Sequence, residues 1–328
     1  MIAAVSSSAR AWLPLLALAV AGCNAAARSP PGTAGAALAA AAAPAAAAPA
    51  THALPAPQLE FDPADFTVGG RAIHAWVERA AGIVAAYYGR FPERELTVRL
   101  IAMPGDGVRG GTTYGKPRAF IRLRVGREVT EPQLLADWVL VHEMTHLALP
   151  DVGEEHAWLS EGLAVYIEGV ARVQAGNRSE TDLWSEELRS MPRGLPQPGD
   201  QGLDHTHTWG RTYWGGAMFC LLADVDIRRR THNRLGLQDA VRAILNASGG
   251  LTVDWPIARV LRTGDAAVGT STLEDLYAQM RDAPVSPDLP RLWHELGVDP
   301  EGTSVRLTDD APLASIRLAI MRGSRTPS

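Results

Sequence analysis

Cysteine is nearly absent. The 328 residues hold two, Cys23 and Cys220, so no disulfide framework supports the fold and at most one bridge is possible. Lysine is scarcer still, with Lys116 alone, although 31 Lys+Arg stand against 36 Asp+Glu for a formal net charge of -5. With no basic excess to neutralise phosphates, nucleic acid is not an expected partner. Hydrophobic residues at 46% and charged residues at 20% match soluble globular chains. They exclude a wholly disordered chain and a multi-span membrane protein.

The N-terminus has the layout of a secretory signal. Arg10 supplies the positive charge, and residues 11–21 form an apolar stretch about half the roughly 20 residues needed to span a bilayer. Small residues then mark a cleavage point. The run Val20-Ala21-Gly22-Cys23 resembles the lipobox of bacterial lipoproteins. That resemblance implies a signal over residues 1–22, acylation of Cys23, and an extracytoplasmic, membrane-anchored protein at the cell envelope. Residues 23–57 are rich in Ala and Pro with almost no charge. Repeated proline blocks a continuous helix, so this stretch reads as an extended tether. The globular domain is expected over 58–328.

Within that domain, Ile73, Trp76, Val77, Ala80 and Val84 recur at helical spacing and predict a helix over 69–89. Alternation predicts strands around Leu96–Val98–Leu100 and Ile121–Leu123–Val125. The glycine-rich residues 105–115 read as a loop or bulged turn. Thr130-Glu131-Pro132-Gln133 has the form of a capping box and opens an apolar helix expected to run to Leu149. Further helices are expected at 155–174, 210–229, 236–247 and 272–281. Residues 186–208 read as a long functional loop, and 304–308 with 314–320 as a closing hairpin. Strands come first and helices later, which gives an α+β class.

The chemistry sits in Val141-His142-Glu143-Met144-Thr145-His146. Residues four apart share one helical face, so His142 and His146 can present two imidazoles to one metal. Glu143 projects beside that metal and can take a proton from water. A third ligand is needed with a fourth position open. Trp158-Leu159-Ser160-Glu161-Gly162-Leu163-Ala164 supplies Glu161, with fourteen residues between it and His146. Two His and then a Glu match the His₂Glu type of catalytic zinc.

In these motifs the chain resembles the gluzincin metallopeptidases, most closely the peptidase-MA-like group. Arg211-Thr212-Tyr213-Trp214-Gly215-Gly216-Ala217 looks like the Y-x-K-G segment of aminopeptidase N-like and glycyl-aminopeptidase-like enzymes. The resemblance implies a thermolysin-like zincin domain, with a small strand-bearing lobe and a larger helical lobe around a cleft. It implies one Zn2+ per chain on His142, His146 and Glu161, a peptide or protein substrate, Glu143 as general base and Tyr213 as donor to the tetrahedral intermediate.

The departures are specific. The interval before Glu161 is shorter than in aminopeptidase N-like enzymes, Gly215 replaces the lysine, and no G-x-M-E-N run lies upstream. The strand expected to line the cleft carries Arg122 and Arg124 instead of an acid. Val165 stands four residues after Glu161, where thermolysin-like enzymes place a supporting carboxylate. His205 and His207 are alternative donors, or surface residues. His156 fits a helix start, and Cys220 a buried thiol. A non-peptide amide hydrolase on the same zinc, or a non-catalytic zinc-stabilised binding module, are the competing functions.

Overall fold

A computed structural model describes residues 57–323. The expected signal segment and the tether, apart from Pro57, lie outside the described residues.

Four strands form one sheet in the order β1-β2-β4-β3. They are β1 (Gln58–Glu60), β2 (Thr97–Met103), β3 (Val108–Tyr114) and β4 (Phe120–Gly126). β1, β2 and β4 run parallel, and β3 pairs antiparallel to β4 at the edge. α1 (Gly70–Tyr88) lies between β1 and β2 in sequence, with Ile73, Trp76, Val77, Ala80 and Val84 buried as their spacing predicts. The inward residues Val98 and Leu100 of β2, and Ile121, Leu123 and Val125 of β4, join this helix in a continuous apolar core.

Residues 105–115 are a correction: they contain β3, not a loop. Gly110 and Gly111 carry no side chains to alternate, so the strand has no apolar signature. Its pairing with β4 is interrupted by a bulge between Val108 and Gly110. β3, not the Arg-bearing β4, is the edge strand that packs along the metal-motif helix.

The helix expected over 130–149 is also corrected. It breaks into α2 (Glu131–Ala136) and α3 (Val139–His146). The capping box at Thr130 is present, but Asp137 takes an extended ψ of 136°. Its carboxylate accepts from the backbone N–H groups of Val139 and Leu140, each at 3.1 Å, and from the Trp76 indole at 3.2 Å. A half-buried acid satisfied by first-turn donors starts a new helix, one turn ahead of His142. Past His146 the chain tightens into a turn, with Leu147 and Ala148 donating to the Met144 and Thr145 carbonyls.

The larger lobe is helical. α4 (Ala157–Gln174) carries the second motif and packs on α3 and α1. α5 (Glu180–Ser190) and a 3₁₀ turn at Met191–Gly194 occupy the front of the segment expected to be loop. Its remainder is pinned rather than free. Leu203 and Asp204 donate backbone hydrogen bonds to the Met280 and Arg281 carbonyls. Asp204 also accepts from the Trp158 indole at 2.8 Å and the Tyr277 hydroxyl at 2.6 Å.

α6 (Gly216–Thr231), α7 (Leu237–Ser248) and α9 (Thr272–Met280) lie close to expectation, while α8 (Ile257–Val268) and α10 (Leu289–Leu296) were not foreseen. The closing hairpin is instead β5 (Val298–Glu301) with β6 (Ser304–Leu307), and residues 314–320 belong to α11 (Ala314–Arg322). The alternation of Ile316, Leu318 and Ile320 misleads because Arg317 between them is itself buried. Its Nε donates to the Leu296 carbonyl at 3.0 Å, and Glu180 and Asp309 pair with its guanidinium.

One contact sets where the two halves of the site lie. A Cβ on Gly162 of α4 would fall 2.2 Å from the Gly216 carbonyl carbon and 2.3 Å from its Cα. α4 and α6 therefore cross backbone to backbone, one residue beyond Glu161. Gly162→Ala is expected to destabilise the domain by about 3 kcal/mol or more, the upper end of overpacking costs, because backbone must move. Thermal unfolding of the zinc-free protein checks this; an unchanged midpoint would show that the crossing tolerates a methyl group.

Candidate metal centre

α3 is buried on nearly all sides. Val139, Leu140, Val141, Met144 and Thr145 are buried with His142 and Glu143, so packing determines the helix's rotation and the direction of both imidazoles. α4 brings Glu161 to the same point. Glu161 Oε2 stands 3.3 Å from His142 Nε2 and 3.5 Å from His146 Nε2, and the three ligand atoms all lie within 4.8 Å of one another. Ligand atoms around a tetrahedral zinc with bonds of about 2.0–2.1 Å stand about 3.3–3.4 Å apart. The spacing and the donor set both fit zinc. His142, His146 and Glu161 make a gluzincin-type site for one Zn2+ per chain.

Electrostatics keep the anionic ligand ready. Burial alone would push the Glu161 carboxyl up. The imidazoles beside it, His146 foremost, outweigh that and hold it below the usual carboxylate range. The ligands are oriented differently. His146 Nδ1 lies 3.0 Å from the Ser160 hydroxyl, which leaves Nε2 for the metal. His142 Nδ1 is buried without a hydrogen-bond partner. Its ring is held instead by Trp138, edge-on at 5.7 Å, and by Tyr213, near-parallel at 6.4 Å. Ser160, directly before Glu161, thus supports His146, and Val165 offers no such polar contact.

Glu143 is buried but is not one of the clustered ligands. Its carboxylate is positioned by β3: Thr113 Oγ1 lies 2.6 Å from Glu143 Oε2 and 2.9 Å from its carbonyl oxygen. A Cβ on Gly111 would come within 2.5 Å of Glu143 Cγ. The Gly-Gly-Thr-Thr run is therefore a close backbone approach to Glu143, a recurrent use of glycine in a strand.

Tyr213 reaches the site on a π-helical turn, Gly210–Gly215, a form concentrated at functional positions. A Cβ on Gly194 would sit 2.3 Å from both the Trp214 carbonyl carbon and the Gly215 nitrogen. The 3₁₀ turn thus presses directly against this π turn. Arg211 clamps the two, donating to the Gly194 carbonyl at 2.6 Å and pairing with Asp200 at 2.7 Å, both side chains buried. Burial pushes the Tyr213 phenol up, and the Glu161 and Glu143 carboxylates add to the shift, so the hydroxyl keeps its proton. His205 is exposed and bonds Asp282 at 2.9 Å, and His207 is exposed. His156 pairs with Asp204 at 3.1 Å, and Cys220 is buried and free.

No family model matches this chain, and no curated protein matches it by sequence. Among solved structures it is similar to an aminopeptidase N family protein from Idiomarina loihiensis. The TM-score is 0.55 at 16% identity, over 73% of this chain and 46% of that one. A looser similarity, TM-score 0.45 at 14% identity, joins it to an M1 zinc metallopeptidase from Deinococcus radiodurans, over 70% of this chain and 48% of that one. The chain spans less than half the length of these structures. The first likeness shows the fold. The geometry above identifies a zinc-metallopeptidase catalytic core within it.

Ser160→Ala removes the hydroxyl beside His146 Nδ1 while leaving all three ligands. Zinc affinity is expected to fall about 10–100-fold, as for other partners that orient a ligand. Competition with a chromophoric chelator measures it; an unchanged affinity would mean that packing alone orients His146.

Proposed function

We propose that the domain hydrolyses peptide bonds in peptide or protein substrates. The observation that carries this is Glu143: a buried acid beside the metal cluster, excluded from the ligand set and held by Thr113. A zinc site that only stabilised a fold would have no use for it. Zinc, when bound, supplies Lewis acidity and brings the pKa of a water toward about 7. Glu143 takes the proton from the attacking water as its oxygen bonds the carbonyl carbon. It then delivers that proton to the leaving amine as the C–N bond breaks. Tyr213, kept protonated by burial and by the neighbouring acids, donates to the oxyanion that develops at the former carbonyl oxygen. Exposed His205, engaged with Asp282, is the weaker donor candidate.

The envelope anchor is part of the same proposal and rests on Val20-Ala21-Gly22-Cys23 alone. Acylated Cys23 would hold the domain at the membrane through the Ala/Pro-rich tether. Cys23→Ser is expected to move the protein from the membrane fraction to the soluble fraction of expressing cells. An unchanged distribution would remove the anchor from the reading.

Glu143→Gln preserves shape but cannot take a proton at neutral pH. Turnover of a cleaved peptide is expected to fall by roughly 10²–10⁴ or more with zinc content unchanged. Tyr213→Phe is expected to lower kcat by about 10²–10³ and leave KM nearly constant. Wild-type turnover by Glu143→Gln would defeat the peptidase mechanism. Wild-type kcat in Tyr213→Phe would return Tyr213 to a packing role. If zinc-loaded protein cleaves simple amides but no peptide in a diverse pool, the site is an amide hydrolase of another kind.

A further inference from the structure

Beside the metal cluster lies a cavity of about 660 Å³ whose wall runs from His142 and Tyr213 to Glu186 and Glu187 of α5. Trp138 and Trp209 also line it and are 52% and 58% exposed. Its charges are unequally matched. Arg172 is engaged by Glu168 at 2.7 Å, Asn177 at 2.7 Å and the Ala136 carbonyl at 3.0 Å. Arg178 pairs with Glu186 at 2.5 Å and donates to the Asp182 carbonyl at 3.0 Å. Arg193 lies over the Trp209 ring at 6.0 Å. Asp182 accepts from the Ser179 hydroxyl at 2.6 Å.

Glu187 is the exception among the acids of the wall. It is 4% exposed, and its Oε2 is buried with no hydrogen-bond partner. A buried acid with an unpartnered oxygen is costly even when protonated, so its retention at a cavity wall calls for a ligand. Arg172 and Arg178 are already taken up by Glu168 and Glu186, so an anion would find neither guanidinium free and would meet Glu187. A neutral apolar group would leave Glu187 unpaired. A cation on a long apolar stem satisfies both the acid and the tryptophan faces at the opening.

The geometry points to this cavity as the pocket for an arginine or lysine side chain of the substrate, adjoining the cleaved bond, with Glu187 receiving the charged head. The assignment rests on the peptidase reading for its role in cleavage, but binding of a cation does not require turnover. Burial pushes the Glu187 carboxyl up to about 8. Glu186 and Glu168 add to this, and Arg178 opposes it. The Cys220 thiol on α6 faces it as well. At neutral pH the empty pocket therefore holds mostly the protonated acid, and an entering cation displaces that proton.

The test uses the zinc-loaded full chain and two probes of equal shape, n-butylguanidinium and neutral n-butylurea, with binding followed by calorimetry. The wild type is expected to bind the cation at least about tenfold more tightly than the urea, the scale of a hydrogen bond to a charged group. That ratio is expected to grow as pH rises from 6 to 9 and ionises Glu187. Glu187→Gln, its folding checked by thermal unfolding, is expected to bring the ratio close to one and remove its pH dependence. Equal binding of the two probes by the wild type overturns the proposal whatever the variant does, as does an unchanged ratio in folded Glu187→Gln. Cleavage sites in a mixed peptide pool, mapped by mass spectrometry, are expected to carry Arg or Lys next to the cut. Cuts without that enrichment overturn the pocket and leave the peptidase standing. No cuts at all defeat the peptidase reading, and the probe pair then decides the pocket by itself.

Discussion

The backbone contact between Gly162 and Gly216 is the constraint on which the site depends. Glu161 immediately precedes one glycine, and the π turn carrying Tyr213 runs directly into the other. Side chains at this crossing would push α4 and α6 apart and would separate the third metal ligand from the tyrosine. The same economy recurs at Gly194, which lets the 3₁₀ turn lie against the π turn, and at Gly111, which lets β3 reach Glu143. Three close approaches at residues without side chains bring separate pieces of backbone to one metal cluster. Packing in protein interiors leaves little slack, so ligand spacings of 3.3–3.5 Å can be held only if these approaches hold.

The site was more legible in the sequence than the fold around it. His142 and His146 could be read because helical spacing turns a four-residue interval into a shared face, a local property, and Glu143 and Glu161 from the short motifs that contain them. Ser160 and Thr113 could not, since each acts across elements that only tertiary packing brings together. β3 was hidden for a related reason. Its glycines remove the alternation that signals a strand, and they are there because Glu143 needs the room. The break at Asp137 was missed because its cause is the Trp76 indole and two buried N–H groups, not a helix-breaking residue. In α11 a buried arginine between isoleucines imitated the two-residue period of a strand. Where apolar periodicity alone carried the signal, as in α1, α4 and α7, boundaries fell within a few residues of the observed ones.

Charge organisation links the metal site to its surroundings. Two imidazoles keep Glu161 ionised against its burial. Burial pushes the Tyr213 phenol up, and this carboxylate and Glu143 add to the shift. One acid therefore serves two purposes: it is an anionic ligand, and its field reinforces the protonated state of the neighbouring phenol. This reciprocity explains why Tyr213 approaches on a clamped turn instead of a loose loop. A donor held by an anion's field must be aimed, because the same phenol turned away would only fill space. The Arg211–Asp200 pair, buried on both sides, costs desolvation that a surface pair would avoid. Its return is the fixed direction of that turn. Stability spent on orientation next to a reactive cluster is a common feature of built sites. Here it falls on the turn that carries Tyr213, the donor proposed for a developing oxyanion.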